Sequence, residues 1–317
     1  LVISLMDYSF LLRFTWIYYV GIIGLLIAVK IFGDDAKGAT RWIEIAGIRF
    51  QPSELAKIVI ILFFAYFFMK YQEKINTVPV LLSSFVLLGI PFLLILKQPD
   101  MSTSIAVALI FVSLLFIAGL SYKIILTVLG ISVPIGIVGF TYVIRIAETA
   151  TDFHFGRIMA WLYPTDPKWA QTAAQQQNSI MAIGSGQLWG KGLNNSVATS
   201  MKNSNYIIEP QTDFIFSVAG EELGFVGTIT IIVLLLFIVI DCILIARKAK
   251  DLSGKLICCG MAALIGFQSI FNIFVATGLM PNTGIPLPFV SYGLTSLLTL
   301  YMGIGFVLNV GLQPKKY

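Results

Sequence analysis

The dominant feature of this sequence is a series of long apolar runs, many of them near the length of a membrane span. A helix needs about 20 apolar residues to cross a hydrocarbon core about 30 Å thick. Backbone groups in lipid must be hydrogen-bonded internally, and these runs are continuous rather than alternating, so helices are favoured over a barrel. Only 12% of the residues are charged, against about 25% in soluble domains. The sequence therefore predicts an all-α polytopic membrane protein and excludes an ordinary soluble enzyme.

The apolar runs predict eight full spans in one transmembrane domain that covers residues 1–317. The spans lie near residues 15–32, 54–70, 78–97, 101–119, 124–145, 213–246, 255–280 and 291–312. The first six residues are interpreted as the tail of another span. Because no signal peptide precedes them, we expect the sequence to begin inside its parent protein.

The basic residues predict which side of the membrane each connection occupies. Ten of the 21 Lys and Arg residues fall in four short connections and at the C-terminus, which the positive-inside rule places in the cytoplasm. The loop 33–53 and the long segment 146–212 are then extracytoplasmic. Connections longer than about 12–15 residues are usually functional or disordered, and 146–212 contains three tryptophans. We predict that it forms an ordered cap, with an amphipathic helix at 171–183.

A carboxylate at the start of one span is the strongest candidate for chemistry. Pro210 and Thr212 are helix-start signals, which place Asp213 in the first helical turn. At 100° per residue, a line of small residues continues from it and predicts a groove: Ser217, Gly220, Gly224 and Gly227. From these residues alone two interpretations stay open. Asp213 is either a helix cap above closely packed glycines or a catalytic carboxylate.

Basic residues on the predicted outer side are candidates for binding an anionic headgroup or a diphosphate. Glu54 and Lys57 stand three residues apart after Ser53, the expected N-cap. They form either a structural ion pair or a phosphate contact with its orienting carboxylate. For the remaining cations the alternative is anchoring in lipid headgroups; they are Arg41, Arg49, Lys97, Arg157, Lys191 and Lys202.

Other patterns narrow the chemistry. Residues 281–293 contain three prolines and two glycines among apolar residues, which predicts an irregular wall buried in protein or lining a cavity. The single histidine, His154, belongs to no cluster with zinc spacing. The glycine-rich stretch 184–192 lacks the spacing of a phosphate-binding loop and follows no strand. We therefore expect neither a nucleotide nor a nucleic-acid ligand.

Ordered motifs along the chain resemble those of the SEDS family (shape, elongation, division and sporulation), the RodA/FtsW/SpoVE-type bacterial membrane glycosyltransferases. They lie at 39–43, 50–57, 97–100, 157–164, 182–192, 212–224 and 272–293. The resemblance covers nearly the whole chain. It implies a ten-span fold whose first span and most of the second precede this sequence. Gln211 replaces a common histidine, and Gly293-Leu294-Thr295 replaces the usual Gly-Gly-Ser.

The resemblance implies that the protein polymerises lipid II into glycan strands on the outer face of the bacterial cell membrane. Asp213 would be the general base for inverting transfer, with undecaprenyl diphosphate as the leaving group. The implied substrate-binding residues are Arg41, Glu54, Lys57, Arg157, Lys191 and Ser217. A divalent cation, Mg²⁺ or Mn²⁺, is a candidate helper, and the implied partner is a class B penicillin-binding protein that crosslinks the strands. The alternatives are a lipid II flippase and a noncatalytic scaffold for the transpeptidase.

Overall fold

Helices make up most of the chain, as expected for the all-α class. The computed structural model describes residues 2–36, 39–45, 48–98, 100–128, 130, 134, 153–193 and 210–313. In chain order the helices are α1 Val2–Leu5, α2 Tyr8–Leu12, α3 Thr15–Phe32, α4 Pro52–Lys70, α5 Val78–Leu96, α6 Met101–Ile117, α7 Phe153–Leu162, α8 Ala170–Ser185, α9 Ile215–Lys248, α10 Leu252–Ala276 and α11 Leu294–Leu312. Residues 122–128 are also helical, and Gln72–Lys74 form a short 3-10 turn.

Six of the described helices are long and apolar enough to cross a membrane: α3, α4, α5, α9, α10 and α11. Helix α6 is apolar but has only 17 residues. Seven of the eight predicted spans therefore coincide with helices in the described ranges. The remaining one, near 124–145, lies mostly outside the described residues. The chain is a multi-pass membrane protein.

A small antiparallel sheet occupies the connection between α3 and α4. Its strands are β1 Asp34–Ala36, β2 Ala39–Ile45 and β3 Ile48–Phe50, in the order β1-β2-β3. In the pairing of β2 with β3, Glu44 lies opposite Arg49, and their side chains approach to 4.0 Å. The sequence predicted only an outer loop here, because a search for long apolar runs does not detect strands of three to seven residues.

The chain divides into two compact units. Unit 1 comprises Leu1–Leu120, Leu235–Gln268 and Tyr292–Tyr317; unit 2 comprises Ser121–Leu234 and Ser269–Ser291. Helices α9 and α10 each contribute residues to both units.

Helix α4 is the most deeply buried of the spans described in unit 1. Of its most apolar 18-residue stretch, 83% lies inside the protein. Its aromatic face packs on α6, where the rings of Phe64 and Phe111 meet edge to face at 4.8 Å. The helix begins at Pro52, so the prediction that Ser53 is its N-cap is wrong. The Ser53 hydroxyl instead lies 3.3 Å from Asp100 Oδ2, and Asp100 caps α6 through the backbone N–H of Thr103.

In unit 2, α8 packs a face of alanines and polar residues against the end of α10. The predicted helix at 171–183 is confirmed, but the buried face carries Ala173, Gln176, Ser179 and Ala182. Ile180 and Met181, at the spacing expected for an apolar face, are 39% and 48% exposed. The Gln176 amide donates to the carbonyls of Val275 and Met280, at 2.8 and 2.7 Å. Gln176 and Ser179 can be buried on this face because the last turn of α10 and the residues after it provide backbone carbonyls that accept their hydrogen bonds.

Candidate active site

Asp213 lies in the turn 210–214, directly before α9. Since α9 begins at Ile215, the prediction that Asp213 belongs to the first helical turn is wrong. Its backbone carbonyl accepts a hydrogen bond from Asn272 Nδ2 at 2.8 Å, and the carbonyl of Thr212 accepts one from Ser291 Oγ at 2.7 Å. The half-buried Asp213 is thus carried on a turn whose backbone is held at two consecutive peptide groups.

Arg157 and Asp213 come together at Gly284. A β-carbon built on this glycine would lie 3.3 Å from Asp213 Oδ2 and 3.9 Å from Arg157 Nη1. The same Arg157 nitrogen donates to the carbonyl of Asn282 at 3.3 Å. Gly284 has φ +72°, a backbone conformation in which glycine is favoured. A carboxylate and a guanidinium from distant parts of the sequence therefore border the space left by a missing side chain.

The proline-rich segment after α10 has the irregular but apolar character predicted for it. Residues 281–291 contain no regular helix or strand, and Ile285 and Leu287 are only 5% and 1% exposed. The Leu287 N–H donates to Ser291 Oγ at 2.7 Å. A side-chain hydroxyl thus accepts the hydrogen bond that a backbone carbonyl would accept in a regular helix. Such backbone is stable at membrane depth only when protein surrounds it or it lines a cavity.

Lys191, a predicted substrate contact, forms an ion pair with Glu221. The distance from Lys191 Nζ to Glu221 Oε1 is 2.8 Å, and the two side chains are 22% and 1% exposed. Of the adjacent pair Glu221 and Glu222, Glu221 is the buried one. A buried carboxylate requires a counter-charge, so the ammonium of Lys191 neutralises this glutamate.

Helix α9 is broken at Gly224, which has φ +67° and ψ −164°. A regular helix would pair the N–H groups of residues 225 and 226 with the carbonyls of residues 221 and 222. Here Phe225 donates to Gln187 O at 2.8 Å and Val226 to Leu188 O at 3.2 Å. Lys191 and Gly192 donate to the two vacated carbonyls, those of Glu221 and Glu222, at 2.9 and 3.0 Å. The turn 187–192 therefore replaces the helix's own hydrogen bonds across the break.

The line of small residues predicted to floor a groove is a packing surface instead. A β-carbon on Gly186 would overlap the carbonyl oxygen of Gly220, and one on Gly224 would lie 2.6 Å from Leu188 O. Ser217 is fully buried, and its hydroxyl is hydrogen-bonded to that of Ser179 on α8. From Ser217 to Gly224 the stripe is covered by α8 and the turn that follows it, as in the helix-packing alternative left open by the sequence.

Three predicted substrate contacts lie in unit 1: Arg41, Glu54 and Lys57. Lys57 Nζ and Glu54 Oε1 are 2.6 Å apart on α4, and these residues are 2% and 4% exposed. Arg41 on β2 donates from Nε to the carbonyl of Gln98 at 3.0 Å. The pairing of Glu54 with Lys57 was one of the two open alternatives, and such deep burial favours a structural ion pair.

Asn272 and Gly284 adjoin Asp213 although sequence reasoning gave them no role. The available signal for Asn272 was a side-chain amide within an apolar span, which is unfavourable unless it is hydrogen-bonded. Within the described ranges, no group of three or more His, Cys, Asp or Glu residues is arranged to hold a metal ion. The neighbours described for Asp213 are the Arg157 guanidinium and the Asn272 amide, which donates to the Asp213 backbone carbonyl. Neither group is an anionic metal ligand, so the proposed reaction contains no step through a divalent cation.

The polytopic helical fold and the Asp213 turn define a class of membrane protein, and comparison with known proteins identifies it. The chain belongs to the FtsW/RodA/SpoVE family, described as cell cycle proteins, whose model matches residues 1–316.

Relatives support this assignment in sequence and in fold. The chain is 36% identical to a probable peptidoglycan glycosyltransferase FtsW of Geobacter sulfurreducens over 92% of this chain and 74% of the relative. It is also 36% identical to the peptidoglycan glycosyltransferase MrdB of Escherichia coli K12, over 95% of this chain and 78% of the relative. The rod shape determining protein RodA of Thermus thermophilus superposes with a TM-score of 0.68 at 26% identity, over 100% of this chain and 83% of that one. A chain from a peptidoglycan synthase complex that coordinates polymerisation and crosslinking superposes with a TM-score of 0.79 at 26% identity. The match covers 98% of this chain and 84% of that one.

Proposed function

We propose that this protein is a peptidoglycan glycosyltransferase that polymerises lipid II on the outer face of the membrane, with Asp213 as general base. The observation that carries the proposal is the meeting of Asp213 Oδ2 and Arg157 Nη1 at Gly284. The names of the FtsW and MrdB relatives support the reaction class.

In the proposed reaction Asp213 accepts the proton of the acceptor sugar's 4-hydroxyl. The oxygen then attacks the anomeric carbon of the donor, and the bond from that carbon to the diphosphate breaks with inversion. The bonding electrons leave with undecaprenyl diphosphate, and the proton remains on the carboxylate until solvent removes it. General-base catalysis of this kind contributes typically about 100- to 10,000-fold to a rate.

Arg157 is the cation that we assign to the departing diphosphate. A guanidinium has five N–H donors in a planar fork, and one nitrogen of Arg157 already donates to the carbonyl of Asn282. Lys191 and Lys57 are each held by a buried glutamate, so we assign them structural neutralisation. Glu54 is the partner of Lys57, and Ser217 is buried against Ser179, so a direct substrate contact stays a prediction for Arg41 alone.

We also propose a class B penicillin-binding protein as the partner. Support comes from the similar chain found in a peptidoglycan synthase complex that coordinates polymerisation with crosslinking. The transpeptidase would crosslink the strands that this chain produces.

The test is glycan synthesis from lipid II by the purified chain with its transpeptidase partner. We expect Asp213→Asn to fold and bind lipid II, yet to polymerise at least about 100-fold more slowly. Asp166→Asn is the matched control, because Asp166 is an exposed carboxylate of unit 2 whose Oδ1 accepts the Lys168 N–H. That variant should keep wild-type activity.

Three outcomes would contradict the proposal. Undiminished polymerisation by Asp213→Asn would remove the assigned base. Translocation of lipid II across vesicles without polymer formation by the wild-type complex would favour the flippase. Partner binding and growth support without polymerisation would favour the scaffold.

A further inference from the structure

Asn272 uses its side-chain amide to join two separate pieces of backbone. It lies on α10 and is 1% exposed. An amide nitrogen has two N–H donors, and here one donates to Asp213 O at 2.8 Å and the other to Ile285 O at 2.7 Å. Its Oδ1 is buried and accepts no hydrogen bond from the described part of the chain. An unpaired buried acceptor is unfavourable, so the two donated bonds are what the residue supplies.

The two acceptor carbonyls flank the contact at the centre of the candidate site. One belongs to Asp213 itself. The other belongs to Ile285, the residue after Gly284, whose β-carbon position lies 3.3 Å from Asp213 Oδ2. One amide group therefore fixes the spacing between the backbone of Asp213 and that of the opposite turn, residues 282–285, which we call the Gly284 turn.

We propose that Asn272 is a positioning residue for the Asp213 carboxylate, acting by clamping the Asp213 turn to the Gly284 turn. This inference rests on the proposed function and adds to it a residue that touches neither sugar nor diphosphate. Ser291 reinforces the same turn, because its hydroxyl donates to Thr212 O at 2.7 Å and accepts the Leu287 N–H at 2.7 Å.

Gln176 provides a matched control within the same unit. It is 7% exposed, and its amide nitrogen also donates to two backbone carbonyls, those of Val275 and Met280, at 2.8 and 2.7 Å. Neither of these carbonyls belongs to the Asp213 turn or the Gly284 turn. The two amides thus make equivalent contacts, and only that of Asn272 donates to the backbone of the residue that carries the reacting carboxylate.

The experiment compares Asn272→Leu with Gln176→Leu in the full chain with its transpeptidase partner. Both substitutions keep a side chain of similar size and remove two donors, so both should lower the apparent Tm in detergent. Misplacement of a catalytic group by about 1 Å lowers a rate by about 100-fold. We expect Asn272→Leu to lower kcat for lipid II polymerisation by about that factor, with KM within about threefold, since positioning acts in the transition state. The kcat of folded Gln176→Leu should stay within about threefold of wild type.

Three further single variants and one double variant keep the test decisive. Asn272→Ala and Gln176→Ala repeat the comparison with smaller side chains, in case the leucine variants do not fold. Ser291→Ala removes the second support of the turn, and we expect its effect on kcat to be smaller than that of Asn272→Leu. Because both residues hold one turn, the effect of the double variant should differ from the product of the single effects.

The outcomes separate the inference from the proposed function. If kcat falls equally in the Asn272 and Gln176 variants, in step with Tm, Asn272 is only a packing residue. A higher KM at unchanged kcat would also overturn the inference. If Asp213→Asn polymerises at the wild-type rate, the proposed function itself fails, irrespective of Asn272.

Discussion

Substituting Gly224 by alanine tests whether the break in α9 depends on this glycine. Gly224 has φ +67° and ψ −164°, a region of backbone conformation that is essentially restricted to glycine and costs other residues about 1–3 kcal/mol. The new β-carbon would also lie 2.6 Å from Leu188 O, where ordinary contacts begin at 3.4 Å. The turn 187–192 would have to move away from the helix.

The alternative for Gly224→Ala is a straight helix, and this is also unfavourable. A straight α9 regains two hydrogen bonds within the helix but loses the four bonds to residues 187–192. At about 1 kcal/mol per bond the loss is roughly 2 kcal/mol. A straight helix would also lose the backbone hydrogen bond that holds Lys191 beside the buried Glu221. Either response destabilises the protein by at least about 2 kcal/mol.

Thermal unfolding in detergent measures this effect. We expect the apparent Tm of Gly224→Ala to fall by roughly 5 °C or more, given about 2–4 °C per kcal/mol. The control is Gly24→Ala in α3, where a β-carbon would meet nothing within 4 Å. Alanine is favoured over glycine inside a helix by roughly 0.5–1 kcal/mol, so the control should match or exceed the wild-type Tm. Equal Tm values for the two variants would refute the account of the break.

Two other substitutions probe the buried ion pair and the Gly284 contact. Lys57→Met leaves Glu54 buried without its partner and should destabilise the protein by about 3–5 kcal/mol. The double variant Glu54→Leu, Lys57→Met should recover most of that loss. If thermal unfolding shows the double variant to be as unstable as the single one, the pair is not purely structural. Gly284→Ala should reduce polymerisation more than Gly119→Ala, since both glycines have positive φ but only Gly284 adjoins Asp213 Oδ2. Equal activity of these two variants per folded molecule would argue against a reacting group at Gly284.

The spans were predictable because hydrocarbon thickness fixes the length of an apolar run. The break in α9 was not. A glycine within a membrane helix does not by itself signal a break, since glycine is frequent there. What stabilises the break is the turn 187–192, whose backbone reaches Glu221 and Glu222 from 30 residues away in sequence. The prediction of a straight stripe of small residues failed for the same reason.

At the candidate site, residue type predicted the charged groups but not their supports. Asp213 was singled out as a carboxylate at the start of a span, whereas Arg157 was one of several outer-side cations that the family resemblance made a substrate contact. The roles of Asn272 and Gly284 depend on which backbone lies opposite them, and a single sequence does not contain that information. The buried face of α8 was unpredictable for the same reason, because Gln176 is buried by carbonyls at the end of α10 rather than by apolar contacts.

The two kinds of cation in this chain differ in what their surroundings permit. Lys57 and Lys191 each lie within 2.8 Å of a glutamate that is almost fully buried. Moving either ammonium onto a substrate diphosphate would leave that carboxylate uncompensated, which is strongly unfavourable. Arg157 lies beside the half-buried Asp213 at Gly284 and donates to the carbonyl of Asn282. With five N–H donors, a guanidinium can keep such bonds while it also contacts an anion. At Gly284 an arginine therefore suits a leaving diphosphate better than a lysine would.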